Sequence, residues 1–508
     1  GFVLGVTGGN GIVNPDGNLC RFGKFGYGIY NDLSRITKPM LRTESGFKEI
    51  GFDEAFDLIA SKIKEVEPDR NGFFAGARLT NEEMYLVQKL ARAAVGTGNI
   101  ASFHYINRGD GYRRGHMLNA PLSSLKDASR IYLLGTEINM DHGVAGFMVS
   151  NARHTKKIPV VLVTTKEKNA MEHKVDEVVN VKSYYAFIKA LNHYLLSNGM
   201  ENGLFLRDRV TGTEDYREQL LAEPVESLLK EAGISAEAIA AFAKQYNNEI
   251  NAILIFSEKE ISANATIELF NLAMITGKLG KTANGLICLK EKNNSQGLFD
   301  MGISRMKGIG SQELDNSEFV EKMKNLWNVN TIPGKVEVCL KYLMAHGKIK
   351  NLFIFGEDPA GCATEHTMTG YMKEIPFIMV QDYFMTETAK MAHLILPASF
   401  PAETGGSFTN SQKTLLEFDA VMEKRTGLDN IEQLSGILGK FGRNGHHTAK
   451  EVFAELIKLL PSEEKNETLA LEYTMLDNLN RIFEYGCDSV VKRFEEEFNQ
   501  QFINSVNQ

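Results

Sequence analysis

The chain has 508 residues, 43% of them hydrophobic and 24% charged, with a formal net charge of -8. Because single cores stop growing near about 250–300 residues, more than one is expected. The acidic balance and the lack of any Lys/Arg run exclude the dense positive surface that nucleic acid demands, and the longest apolar runs, such as GVAGFMV and FNLAMI, fall short of the ~20 residues that cross a bilayer.

The chain opens on Gly1 with neither a charged n-region nor an apolar h-region, so further sequence is expected upstream. The opening GVTGGNGIVN is Gly-rich, but its spacing departs from G-x-G-x-x-G, and Asn14, Pro15, Asp16 and Gly17 follow at once. That is turn chemistry, and it reads as a loop and not as a nucleotide site. In the next stretch, GNLCRFGKFGYGIYN, Cys20 has no second cysteine near it; the others stand at 288, 339, 362 and 487. Five scattered cysteines make no disulfide framework, which predicts a reducing, cytoplasmic setting, free or at the periphery of a membrane complex.

FDEAFDLIASKIKEVE places Phe56, Ile59 and Ile63 on one helical face behind Asp53 as cap. LTNEEMYLVQKLARAAVG sets Thr80 and Glu83 in capping-box spacing and stops at Gly96. RIYLLG, a helix around AGFMVSNARHTKK, and IPVVLVTT then read as β-α-β, and the short apolar runs return at NAILIF, GLICL, NLFIFG and IPFIMVQD. Such runs between helices predict parallel strands buried on both faces, in two doubly wound, mainly parallel sheets of an α/β fold. From about Glu423 the chain turns helical and charged, as in TAKEVFAELIKLL and DSVVKRFEEEFNQQF, predicting a C-terminal helical cap.

Three polar features follow strand ends or helix starts. His142 follows RIYLLG, at the end of a strand where ligands collect in open α/β sheets; a loop histidine tied to backbone explains it equally. The GEDP turn, Gly356 to Pro359, offers two acids, which turn formation also explains. His446 and His447 are adjacent and have no i,i+4 ligand partner, which reads as a solvated helix entry.

NLCRFGKFGYGIYN, RITKPMLR, GFDEAFDLIASKI, AMITGKLGKTANG, NNSQGLFDMG, GEDP, VQDYFMTETAKMAHLILPA and GSFTN, taken together and in this order, resemble the molybdopterin oxidoreductase family. The nearest likeness is to the branch holding formate dehydrogenase catalytic subunits and the large iron-sulfur subunit of respiratory complex I. The resemblance implies that Cys20 is the last of four thiolates on a [4Fe-4S] cluster, the other three lying upstream of Gly1; Cys₄ ligation is chemically apt for such a cluster. It also implies a vestigial pterin region at Thr164, Thr165, Asn293, Asn294, Gly356 and Asp358.

Four departures stand beside the matches. Asn107 falls where catalytic members place a Cys, selenocysteine, Ser or Asp on the metal, and an amide oxygen is a poor ligand beside a thiolate. Thr164 and Thr165 replace an Asp-Pro-Arg-like turn after a strand, so charge-assisted hydrogen bonds to guanine are gone. Phe22 stands where formate dehydrogenases carry a lysine between cluster and pterin, with Lys24 nearby in another register. The chain ends in amphipathic helices, where catalytic relatives carry a β-rich closing domain (the C-terminal β-barrel domain), so no such domain is expected here.

The expected organisation is residues 1–45 as the remnant of an iron-sulfur-proximal domain, 46–106 with 341–422 as the first α/β domain, 107–340 as the second, and 423–508 as the helical region. The expected function is a non-catalytic subunit or domain of a multisubunit iron-sulfur electron-transfer complex, resembling a complex I-like NADH dehydrogenase or an NAD-linked formate dehydrogenase or hydrogenase. Its partners are the other subunits, without nucleic acid or membrane insertion; its cofactor is a 4Fe-4S cluster, and molybdopterin is expected to be absent. A catalytic molybdenum or tungsten formate dehydrogenase, and a scaffold with no redox centre, are the alternatives.

Overall fold

The apolar runs become strands because each is short, rich in β-branched and aromatic residues, and buried on both sides. The structure, a computed structural model, describes residues 2–109, 112, 120–364, 366–461, 469–478, 483–484 and 487–506. In chain order the strands are β1 (Met40–Thr43), β2 (Gly46–Glu49), β3 (Asn71–Ala75), β4 (Ile100–Ala101), β5 (Arg130–Leu134), β6 (Val160–Thr164), β7 (Glu177–Asn180) and β8 (Val210–Thr211). They continue as β9 (Ala252–Ser257), β10 (Gly285–Leu289), β11 (Asn351–Phe355), β12 (Phe377–Asp382), β13 (Leu394–Pro397), β14 (Gly406–Thr409), β15 (Leu415–Phe418) and β16 (Leu469–Ala470).

Two sheets result. The first runs β2-β1-β13-β12-β11-β3-β4 and the second β10-β9-β5-β6-β7. The second is parallel throughout. The first is parallel from β13 to β4 and takes the β1–β2 hairpin antiparallel on one edge. Period-two alternation divides each run between two cores. In the second sheet Tyr132, Leu134, Val161, Val163, Leu254 and Phe256 join one cluster, while Ile131, Leu133, Val160, Leu162, Ile253 and Ile255 join the other. Phe73, Phe353 and Met379 against Phe74, Leu352 and Val380 divide the first sheet in the same way. The doubly wound α/β architecture is therefore as expected.

Local details refine the expectation. Helix Phe52–Lys64 is capped by Gly51, not Asp53; Asp53 and Glu54 sit in its first turn, where carboxylates favour the helix dipole. Thr80 and Glu83 form the expected capping box on Asn81–Lys89, the helix passes into a wider turn over Leu90–Val95, and Gly96 ends it at φ 83°. The region beyond residue 423 contains helices Asn430–Gly439, Ala449–Leu456 and Ser489–Val506, but also β16, which pairs with β8 beside the second sheet.

Residue 45 lies in the turn of the β1–β2 hairpin. Helix Ser317–Trp327 turns Phe319, Met323 and Trp327 into the first sheet's core, and Trp327 donates its indole N–H to the Tyr85 hydroxyl at 2.7 Å.

The two ends of the chain meet. Helix Arg21–Phe25 and the turn after it lie on helix Ser489–Val506, where Phe22 stacks near Phe494 and Phe498, and Phe25 near Phe498 and Phe502. Gly26 permits this approach, since a Cβ there lands 2.0 Å from the Phe494 ring. Gly26→Ala should therefore displace the C-terminal helix. Amide exchange across 490–502 should accelerate while exchange in β3, β11 and β12 stays at wild-type rates.

Candidate crevice between the sheets

Ligands in doubly wound sheets bind beyond the carboxyl ends of strands, where the chain leaves a strand in opposite directions. In the first sheet that point lies between β3 and β11, and in the second between β5 and β9. The loops leaving these strands face one another, and charged side chains fill the space between them.

At its centre is Arg108, 3% exposed. Its Nη1 lies 3.0 Å from His104 Nε2 and its Nη2 3.2 Å from Glu291 Oε1, and Nη2 also donates to the Glu258 carbonyl. A guanidinium can only donate, so His104 accepts at Nε2 and carries its proton on Nδ1. Burial pushes the His104 pKa down to about 4, which keeps the ring neutral. Glu258 follows β9, fully buried. Tyr105 donates its hydroxyl to Oε1 at 2.7 Å, Lys290 lies 3.2 Å from Oε2, and the Glu291 N–H donates at 3.0 Å. Burial alone would raise the Glu258 pKa, but the Lys290 ammonium and the Arg108 guanidinium hold it well below the usual carboxylate range.

His104, Glu258 and Glu291 are the one group of three metal-capable side chains among the described residues, their ligand atoms lying within 4.8 Å of one another. Arg108 already stands among them as the cation, so the group is an ion-pair network and not an open metal site.

Each predicted residue has a definite place. Asn107 is exposed, at φ 61°, and the Cys339 thiol donates to its Oδ1 at 3.7 Å; the buried position belongs to its neighbour Arg108. Thr164 is buried, its hydroxyl oxygen accepting from Lys166 N and Asn169 Nδ2. The Thr165 N–H donates to the Tyr184 hydroxyl. This turn delivers Lys166 to the β5–β9 switch point, 2.6 Å from Glu137 and 2.8 Å from Glu260.

Asn293 is exposed, whereas Asn294 is buried, donating to the Leu79 carbonyl at 2.8 Å and accepting from Thr409 N at 2.9 Å. Asn81 bridges to Ser407 and Thr409, so the NNSQG and GSFTN motifs are joined through one amide. Gly356 adopts φ 63° and its carbonyl accepts from Arg78 Nε at 2.9 Å. Beside it, Glu357 accepts from Ser102 Oγ at 2.6 Å and Phe103 N at 2.9 Å. Asp358 accepts from Thr388 and from both the N–H and hydroxyl of Ser489; burial opposes its ionisation, but these donors bring its pKa below the ordinary value.

Cys20 caps helix Arg21–Phe25, its sulfur accepting from Gly23 N at 3.5 Å, and it abuts Gly143 at the start of the helix that His142 precedes. Among the described residues no group of three metal-capable side chains includes it. His446 is half-buried and hydrogen-bonded to Glu455 at 2.7 Å, a carboxylate it shares with Lys89 and Tyr85, so it is a packed side chain and not a solvated entry. His447 stays exposed, its N–H donating to Glu451.

The sequence reading missed His104, Arg108, Glu258, Glu291, Arg78 and Asp382. Arg78 Nη2 lies 3.2 Å from Asp382 Oδ2 at the end of β12, and Nη1 3.6 Å from Asp488. The available signal was the charged residue placed immediately after an apolar run, in AILIFSEKE, GLICLKEK and IMVQD.

The family description Molybdopterin oxidoreductase matches residues 35–427. The chain is 29% identical over 467 residues to a formate dehydrogenase 2 alpha subunit of Methanococcus maripaludis, covering 88% of this chain and 68% of that one. It is 27% identical to formate dehydrogenase H of Escherichia coli, covering 88% and 66%. Among solved structures, acetylene hydratase from Pelobacter acetylenicus superposes with a TM-score of 0.67 at 16% identity, covering 88% of this chain and 67% of that one.

Removing Arg108 should take away the guanidinium that faces Glu291, whose side chain is 5% exposed. Arg108→Ala should destabilise the protein by about 3–5 kcal/mol, whereas Asn107→Gly, at an exposed left-handed position, should change stability by less than ~0.5 kcal/mol. Urea unfolding followed by circular dichroism checks both.

Proposed function

Within the molybdopterin oxidoreductase family, to which this chain belongs, we propose that it serves as a non-catalytic α/β body in a multisubunit electron-transfer assembly of the formate dehydrogenase or NADH dehydrogenase kind. The observation that carries this reading is Arg108 buried with His104, Glu258 and Glu291 between the sheets. A pterin–nucleotide cofactor is an anion of several phosphates and needs unengaged donors and space. Among the described residues, Arg78, Arg108, Lys166 and Lys290 each already face a carboxylate, and Glu258, Glu357 and Asp382 are buried there. The residues present do not fit that cofactor. Asn107 points away from the buried network and supplies no metal ligand within it, and Thr164 and Thr165 are engaged with their own turn.

Cys20 supplies one thiolate of a [4Fe-4S] cluster, whose Cys₄ ligation needs three more. In this reading residues 46–106 with 341–422, and 107–340, are the two α/β domains, and the protein acts through other subunits that supply the reacting centres.

Elemental analysis of the intact polypeptide, isolated without oxygen from cells given molybdate and tungstate, tests the proposal. Substoichiometric molybdenum and tungsten are expected. Stoichiometric metal, with activity lost in Asn107→Ala, would replace this reading with a catalytic formate dehydrogenase-type enzyme. Cys20→Ala should lower the iron content by one cluster and remove its EPR signal; an unchanged iron inventory removes the ligand role.

A further inference from the structure

Residues 469–478, 483–484 and 487–506, the described parts of the C-terminal segment, make contacts on both sides of the crevice. The segment begins beside the second sheet with the β16–β8 pairing. There the Thr474 carbonyl accepts from Tyr185 and Lys189, and Asn264 is bonded by the Leu476 carbonyl and the Asn478 side chain. Phe483, 4% exposed, sits in the crevice itself. Its ring centroid is 4.8 Å from that of His104, Lys292 Nζ lies 4.6 Å above it, and its backbone bridges to Ala363. The Glu484 N–H donates to the Cys362 carbonyl at 2.8 Å. Asp488 then faces Arg78, Ser489 bonds Asp358, and helix Ser489–Val506 ends on the N-terminal helix.

The segment thus places an aromatic ring against His104 and Lys292, and a carboxylate against Arg78, all groups at the carboxyl ends of strands where a bound molecule would lie. Every one of these contacts comes from beyond residue 427, where the family match ends. We propose that this segment is an internal strap, the crevice's own occupant, holding its two switch-point loops closed. The proposal rests on the reading that the crevice carries no pterin.

Two buried thiols make the strap testable in the full-length protein. Cys362 is 1% exposed beneath Phe483, in the same apolar cluster, while Cys288 is fully buried in β10, in the second sheet's core. Alkylation of each by iodoacetamide is followed by peptide mass spectrometry in wild type, Phe483→Ala and Asp488→Asn. In wild type both thiols should be protected. In the variants Cys362 should react at least ~10-fold faster, about 1.4 kcal/mol of lost protection, with Cys288 unchanged. Cys362 remaining as slow as Cys288 in both variants would overturn the strap, and so would the two thiols accelerating together, since the cover would then be inseparable from the fold. Stoichiometric molybdenum or tungsten in wild type overturns the reading of the crevice instead, so the two failures are distinct.

Discussion

A guanidinium taken out of water between two sheets constrains everything around it. Desolvating a charge costs several kcal/mol, recovered only when geometry and hydrogen bonds are both in place. Arg108 therefore requires Glu291 as counter-ion, a neutral His104 as acceptor and the Glu258 carbonyl, which fixes the loops leaving β4, β9 and β10 together. Glu258 in turn requires Tyr105 and Lys290. The relative placement of the two sheets follows from satisfying these groups, because each network member comes from the carboxyl end of one sheet or the other. A cleft so filled is a joint.

The same logic operates at the first sheet's own switch point. Arg78 lies among Asp382 and Asp488, and burial raises the Asp382 pKa to about 7. One cation facing several carboxylates leaves surplus negative charge, which the neighbouring acid relieves through hydrogen bonds: Asp358 draws donors from Thr388 and Ser489. The strap is thus held by electrostatic need as well as by the aromatic contacts of Phe22, Phe25, Phe494, Phe498 and Phe502. Phe22 packs on the C-terminal helix against Phe494 and Phe498.

The fold was legible because parallel buried strands announce themselves as continuous apolar runs, and six of the runs named from sequence are strands within a residue or two of their expected bounds. The capping box at Thr80 and the stop at Gly96 were legible for the same local reason. The site was much less so. Asn107 was singled out by its place in a motif, yet the buried chemistry sits one residue later, because the left-handed turn at Asn107 sends that side chain to solvent and Arg108 inward. His446 looked like a helix entry because its partner Glu455 becomes a neighbour only once helix Ala449–Leu456 docks on Asn81–Lys89. Pairings across 150 or more residues, such as Tyr105 with Glu258, leave no periodic trace in a sequence.

Family likeness and local chemistry here answer different questions. The match over residues 35–427 and the superposition on a solved relative concern the layered sheets and their connections, and those are set by apolar runs and turns that tolerate wide change elsewhere. What occupies the space between the sheets is set by a few charged residues at strand ends. At those strand ends the cations Arg78, Arg108 and Lys290 face Glu258, Glu291, Asp382 and Asp488. Once they are so paired, reopening the cleft would leave several charges unpaired at once, each costing a few kcal/mol unless water reached it. In the proposed reading the fold keeps the architecture of its family while the cleft becomes part of the core, and that change needs no alteration of either sheet, because the paired charges all lie beyond the strands' carboxyl ends.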